Sequence, residues 1–172
     1  MEGAGVKPTA LFPALPPGEV LTAADDEIAV RLAVPADAEA LYELLTLEET
    51  RNPAGSPSAP AQVAAWIGDE LGERARQPNQ GSYLIWVIER EGVIVGSVIT
   101  ALWIDRSGES PIRSVEYYDM ERHPSLRGMG IAQRTMRLIE PLLVQFFDVQ
   151  QVTATVVKGS RERSGLVAAT MF

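Results

Sequence analysis

The chain of 172 residues has no cysteine and a single histidine, His123. A disulfide framework, a thiolate metal site and a cysteine nucleophile are therefore excluded, as is a multi-histidine metal centre. A Ser-His-Asp arrangement would hang on His123 alone. Cations are also in short supply, with 15 Lys and Arg against 23 Asp and Glu and a formal net charge of -8. That balance offers no phosphate-neutralising excess and argues against a general nucleic-acid binder. Small anions are not excluded, because they need only a local electropositive spot. No apolar run of 18 residues occurs, and residues 1–20 carry one lysine and no stretch suited to a signal peptide. The expectation is a cytoplasmic protein with no membrane or nucleic-acid partner.

What remains is an ordinary globular composition, 46% hydrophobic and 22% charged. It is expected to form a single α/β domain over residues 25–172 behind an irregular arm of residues 1–24. The arm is rich in proline, which forbids regular structure, and would dock through Leu11, Phe12 and Leu15. Residues 28–32 alternate like a first strand. Pro35 suits the first turn of a helix, and Ala38, Leu41, Leu44 and Leu45 follow at helical spacing, which predicts a helix over 35–47. Asp37 and Glu39 are well placed near its positive end. Residues 52–60, with three prolines, form a loop. A second helix covers 61–76, with Val63, Trp66, Ile67 and Leu71 on its apolar face.

Residues 83–88 and 93–99 are apolar at almost every position and flank Glu89-Arg90-Glu91-Gly92. They predict a hairpin of central strands covered on both faces. A loop at 105–111 precedes a fourth strand, 114–121. A long helix starts at Ile131, with Met136, Leu138, Ile139, Leu142, Leu143 and Phe146 inward and Pro141 expected to kink it. A fifth strand follows at 151–157, giving a parallel right-handed crossover from the fourth strand through the helix to the fifth. A short last helix begins near Ser160.

The junction Arg127-Gly128-Met129-Gly130-Ile131-Ala132 carries the chemistry. Glycines between a strand and a helix let the backbone turn tightly and approach a ligand closely. The helix start adds unpaired N–H groups and the positive end of a dipole, which together suit a phosphate or diphosphate. Arg127 adds a charged fork. A Rossmann fingerprint would follow the first strand, and a Walker A loop would need Gly-Lys-Ser/Thr; neither fits. A bare turn is the other reading of these glycines.

The spacing Arg127-x-x-Gly130-x-Ala132 between the fourth strand and the main helix resembles the acetyl-CoA signature of the GNAT superfamily of N-acetyltransferases. Residues 34–45, Gly92 to Ser97 and His123-Pro124 look like its RimJ/RimL-type branch, in the right order over roughly 28–172. The resemblance implies a mixed, mostly antiparallel sheet with helices on both faces. It also implies acetyl transfer from acetyl-CoA to a primary amine, of a small molecule or a protein N-terminus, by direct attack in a ternary complex. The N–H groups of Gly128, Met129, Gly130, Ile131 and Ala132 would hold the CoA diphosphate. Backbone groups of Met120, Glu121 and Arg122, freed at a bulge, would pair with the pantetheine arm. Glu116 matches a position where some members place a general base. Tyr118 and Met120, at alternate positions from Glu116, would share its strand face and so its cleft. Arg122, Arg127, Arg134 and Arg137 are candidates to face the acidic cofactor, with surface solvation the other reading for Arg134 and Arg137, and His123 before its proline is read as structural.

The pattern departs from the family after residue 157. Ser160 stands where the family has Asn, Val167 where it has Tyr or Leu, and Met171-Phe172 where it has Gly-Phe. Ser160 or Ser164 is then the substitute proton donor to the departing thiolate, a leaving group that needs little help. The family's two further strands are missing, which leaves three accounts of the sheet edge: a truncated chain, strands from a partner, or cover by the N-terminal arm. A homodimer is expected on this ground. Two other functions stay open at this point. One is a degenerate acyl-CoA-binding or protein-interaction module of the same fold. The other is an unrelated α/β domain whose glycine loop binds another phosphate or nothing.

Overall fold

The computed structural model describes residues 12–13, 15–16, 19–47, 56–71 and 82–154. In chain order these form β1 (Thr22–Ala24), β2 (Ala29–Leu32), a 3-10 turn (Pro35–Asp37), α1 (Ala38–Thr46), α2 (Pro60–Leu71), β3 (Ser82–Arg90), β4 (Val93–Asp105), β5 (Ile112–Arg122), a second 3-10 turn (Pro124–Leu126), α3 (Ile131–Phe147) and β6 (Gln151–Ala154). The strands make one sheet in the order β1-β2-β3-β4-β5-β6. Every pairing is antiparallel except β5 with β6, which is parallel across α3. The mixed, mostly antiparallel sheet and its one crossover are as the sequence predicts. Among the described residues no helix is long and apolar enough to cross a membrane.

The hairpin is longer than expected, because β4 continues through Trp103 to Asp105. Its turn is the two residues Glu91 and Gly92, both at positive φ (52° and 76°). That is the twist a two-residue hairpin needs, and Gly92 adopts it without strain. The arm holds one correction: Thr22–Ala24 is a strand, possible because residues 18–24 contain no proline. β1 pairs with β2, so the described part of the arm lies on the edge opposite β6. Phe12 is buried in the main core and Leu15 packs against it, while Leu11 lies outside the described residues.

Two cores sandwich the sheet. On one face Val30, Trp86, Ile88, Val98, Leu102, Val115 and Tyr117 meet Ile131, Met136, Ile139, Leu143 and Phe147 of α3. Each such side chain stabilises the fold by roughly 1.5–3 kcal/mol. Trp86 donates its indole N–H to Thr100 Oγ1 at 2.9 Å, satisfying the one polar atom it buries. α3 runs unbroken through Pro141, which sits on its exposed side. On the other face Ala38, Leu41, Val63 and Ile67 cover Ala33 and Val87. Trp66, expected on the apolar face of α2, is instead partly exposed.

The start of α1 is held by an ion cluster that charge composition alone does not reveal. Arg31 forks onto Asp37 (2.7 and 2.9 Å) and also reaches Glu89 of β3 at 2.8 Å. Asp37 accepts the Val34 amide at 2.8 Å as well. Burial works against the Asp37 carboxylate, but the Arg31 fork and the amide outweigh it and hold its pKa below the ordinary 3.8. A depressed carboxylate contributes stability above its unfolded pKa and loses it as pH falls through the folded value. Asp37→Asn is therefore expected to lower the unfolding free energy by about 2 kcal/mol at neutral pH. In urea titrations the gap from wild type should close as pH drops below 3.8. A gap independent of pH would refute the ionic account.

Candidate active site

Strand β5 is irregular where it matters. Ile99 pairs with Tyr118 and Ser97 with Glu121, so Asp119 and Met120 together stand opposite Val98 alone. This is a bulge of one extra residue, and it inverts the side-chain alternation beyond it. Met120 accordingly packs against the α3 core, and Glu121 takes the position beside Ser97. The expectation that Met120 shares the face of Glu116 fails for this reason. A second bulge lies in the neighbouring strand: Ile88 pairs with Gly96 but Glu89 with Ile94, leaving Val95 as the extra residue of β4. The Val95 carbonyl accepts the His123 amide at 2.7 Å, joining the two irregular ends. Among the described residues, β6 pairs with β5 only from Ser114 to Tyr117, short of the bulge.

Glu116 precedes the bulge, paired with Ala101 on one side and Thr153 on the other. Its neighbours Val115 and Tyr117 point into the α3 core, so Glu116 projects from the opposite face, where it is half-buried. That face is incompletely covered: Ile85, Ile99, Ala101 and Trp103 are all half-buried, in contrast to the buried Val98, Thr100 and Leu102 behind them. The result, among the described residues, is a partly covered apolar strip of the sheet, the Glu116 trough, which carries the Glu116 carboxylate. Tyr117 cannot serve this trough. Burial, with the Glu140 carboxylate adding to it, pushes its phenol well above the ordinary value, and its hydroxyl has no partner among the described residues. The Tyr118 backbone pairs with Ile99, but its side chain lies outside the described part, as do Ser160, Ser164, Val167 and Met171-Phe172.

Beyond Arg122 the chain turns through Pro124–Leu126 into the glycine loop. His123 has a structural role, its Nδ1 accepting the Ser125 amide at 3.2 Å and lying 2.7 Å from the Ser125 hydroxyl. Gly128 and Gly130 have φ of 77° and 70°, and a Cβ at either would meet nothing within 4 Å. Both glycines are thus required by backbone conformation, and both open onto free space. Gly130 caps α3 without any side-chain hydrogen bond. Among the described residues the amides of Gly128, Gly130, Ile131, Ala132 and Gln133 have no acceptor. The Met129 amide differs, donating to the Leu126 carbonyl at 3.3 Å. An exposed ring of unpaired N–H groups at a helix start, with space above it, fits a diphosphate. Of the flanking arginines, Arg127 is exposed beside the loop. Arg134 is engaged elsewhere, at 3.0 Å from both Asp25 and Asp26, which ties α3 to the β1–β2 turn.

Bulged strand, carboxylate trough and glycine loop follow one another along 17 residues, from Glu116 to Ala132. The sequence profile of the acetyltransferase (GNAT) family matches residues 38–164, a span that contains all three. The chain belongs to the GNAT acetyltransferase family. Three solved structures illustrate the likeness. Glucosamine-6-phosphate N-acetyltransferase from Arabidopsis thaliana has a TM-score of 0.60 at 13% identity, over 86% of this chain and 92% of that one. Ribosomal-protein-alanine N-acetyltransferase from Brucella melitensis biovar Abortus 2308 has a TM-score of 0.56 at 18% identity, over 81% and 86%. A predicted acetyltransferase from Clostridium acetobutylicum, solved with acetyl-CoA, has a TM-score of 0.57 at 16% identity, over 84% and 89%. No curated protein sequence matches the chain. As a GNAT protein the chain is an N-acetyltransferase, and the family's acyl donor is acetyl-CoA.

The reading from sequence overlooked Gly96. A Cβ there would lie 2.8 Å from the Glu121 carbonyl oxygen and 2.9 Å from Ile88 Cδ1. The signal was available, since a glycine inside an otherwise apolar strand marks a bulge or a close backbone approach.

Proposed function

We propose that this GNAT protein transfers the acetyl group of acetyl-CoA to a primary amine that docks in the Glu116 trough. The observation that carries the reading is the row of unpaired amides at Gly128 and Gly130–Gln133. Those N–H groups would bind the diphosphate, with Arg127 adding charge. Backbone groups of Met120, Glu121 and Arg122, beyond the end of described β6 pairing, would align the pantetheine arm as an added strand. Acetyl-CoA supplies an activated thioester carbonyl. A backbone N–H at the bulge would polarise that carbonyl, and Glu116 would take the proton from the attacking amine, directly or through water. Tyr118 would line the same trough, and Ser160 would return a proton to the thiolate.

The acceptor is a small-molecule or peptide amine, and the apolar walls formed by Ile85, Ile99 and Trp103 favour one with an apolar stem behind the nitrogen. The branch of the family that acetylates protein N-termini fits this description. The test is calorimetric titration with acetyl-CoA and then CoA, followed by an amine screen for thiol release. Micromolar binding of both ligands is expected, the shared CoA moiety carrying most of the affinity. Absence of binding by a folded chain at millimolar ligand would refute the reading. Binding of both ligands with no thiol release from any amine would favour the degenerate module instead.

A further inference from the structure

We infer that Gly96 is a positioning residue for the acyl-donor strand, an inference that rests on the reading of the site above. Glycine inside a strand is less stable than alanine there, so its presence in the middle of β4 needs a local cause. The cause is the close approach of β5. The Glu121 carbonyl oxygen occupies space 2.8 Å from where a Cβ would stand. Unlike Ile88 Cδ1 on the other side, a backbone oxygen cannot swing away. To reach ordinary contact at 3.4 Å it would have to retreat by about 0.6 Å, carrying its peptide with it.

That peptide belongs to the segment 120–122, whose backbone is proposed to align the pantetheine arm. Gly96 lies between two irregularities, next to the extra residue Val95 on its own strand and facing Arg122, two residues past the Asp119–Met120 bulge on β5. The 2.7 Å bond from the His123 amide to the Val95 carbonyl closes the same region. The missing side chain thus lets β5 lean onto β4 after its bulge, and that lean sets where residues 120–123 and the glycine loop behind them come to rest. A methyl group at position 96 would keep the sheet but turn the donor-binding backbone aside.

The experiment compares Gly96→Ala, Ile88→Val and the double variant, in which the shortened side chain at position 88 removes one clash and leaves only the one with the Glu121 carbonyl. In the double variant, cooperative unfolding is expected to match that of Ile88→Val. Its CoA Kd and acetyl-CoA KM should rise together about tenfold while the acceptor KM stays within about twofold. In the ligand-free protein, exchange of the His123 amide should quicken by about tenfold as its bond to Val95 loosens. A double variant that binds CoA like Ile88→Val, with unchanged His123 exchange, would overturn the proposal, leaving Gly96 as mere room for Ile88. Failure of both Gly96→Ala proteins to unfold cooperatively would also overturn it, in favour of a purely structural requirement. If the wild type does not bind CoA, the reading of the loop fails by itself, and the His123 exchange comparison alone decides the positioning role.

Discussion

Replacing Gly130 by Trp is expected to weaken acetyl-CoA binding by about a thousandfold while the protein still unfolds in one cooperative step. The conformation at this residue sets the cost to the fold. At φ 70° a non-glycine residue is strained by about 1–2 kcal/mol. In a domain of this size that lowers Tm by about 5 °C. No neighbour lies within 4 Å of a Cβ here, so no clash adds to the strain. The cost to binding is larger. An indole at this position would stand in the open space beside the helix start and shield the amides of Ile131, Ala132 and Gln133. Loss of two hydrogen bonds to a charged group, at about 2 kcal/mol each, gives roughly three orders of magnitude in Kd. Calorimetry with CoA, paired with a thermal melt, reads both quantities from one preparation. Near-normal affinity in a folded variant would remove the glycine loop from the cofactor site and leave it as a turn.

The second large effect is expected at Glu116. Gln is nearly isosteric, so the trough keeps its shape and loses only the proton acceptor. Removal of a general base from such a reaction typically costs 10²–10⁴-fold, so Glu116→Gln should lower kcat by about a hundredfold or more at neutral pH. The acetyl-CoA KM should be unaffected, because the donor is held by other residues. Activity of the variant should rise with pH as solvent deprotonates more of the amine, whereas a variant that merely misplaced the substrate would keep the wild-type profile. An unchanged kcat would show that proton removal is left to water or to another group, and that Glu116 is simply a solvated strand residue.

Much of this architecture is legible from local pattern. The hairpin is announced by apolar runs on either side of Glu91-Gly92, and the strand-loop-helix-strand unit around residues 114–154 by the change of period at the glycines. Both signals lie within short windows, where backbone conformation and side-chain spacing speak directly. The bulge in β5 is reached through the family resemblance alone, and the one in β4 escapes the local pattern for a definite reason. Val93 to Ile99 is apolar at nearly every position, so a slip of one residue leaves no polar side chain on the wrong face to betray it. The exchange of Met120 for Glu121 beside Ser97 follows from the β5 bulge. The Arg31–Asp37–Glu89 cluster was equally hidden, since Arg31 and Glu89 meet only after α1 and α2 have folded between them. Asp37 reads as a favourable helix-start charge, which is true but secondary to its partner. Arg134 shows the opposite failure. Its place just inside the helix after the loop suggested a cofactor contact, whereas two aspartates from the N-terminal turn claim it.

The strand order has a consequence for how the protein is made. In this sheet each strand lies beside the one synthesised just before it. A nascent chain leaving the ribosome therefore adds each strand to an edge already present, with the two-residue turn at Glu91-Gly92 as the cheapest closure of all. Two pairings must wait for intervening helices: β3 reaches β2 only after α1 and α2 have emerged, and β6 reaches β5 only after the whole of α3. Until then the β5 edge beside Glu116 is unpaired, and α3 has not docked to fix the glycine loop. The proposed acyl-donor site is thus completed only once α3 and β6 have followed β5 out of the ribosome.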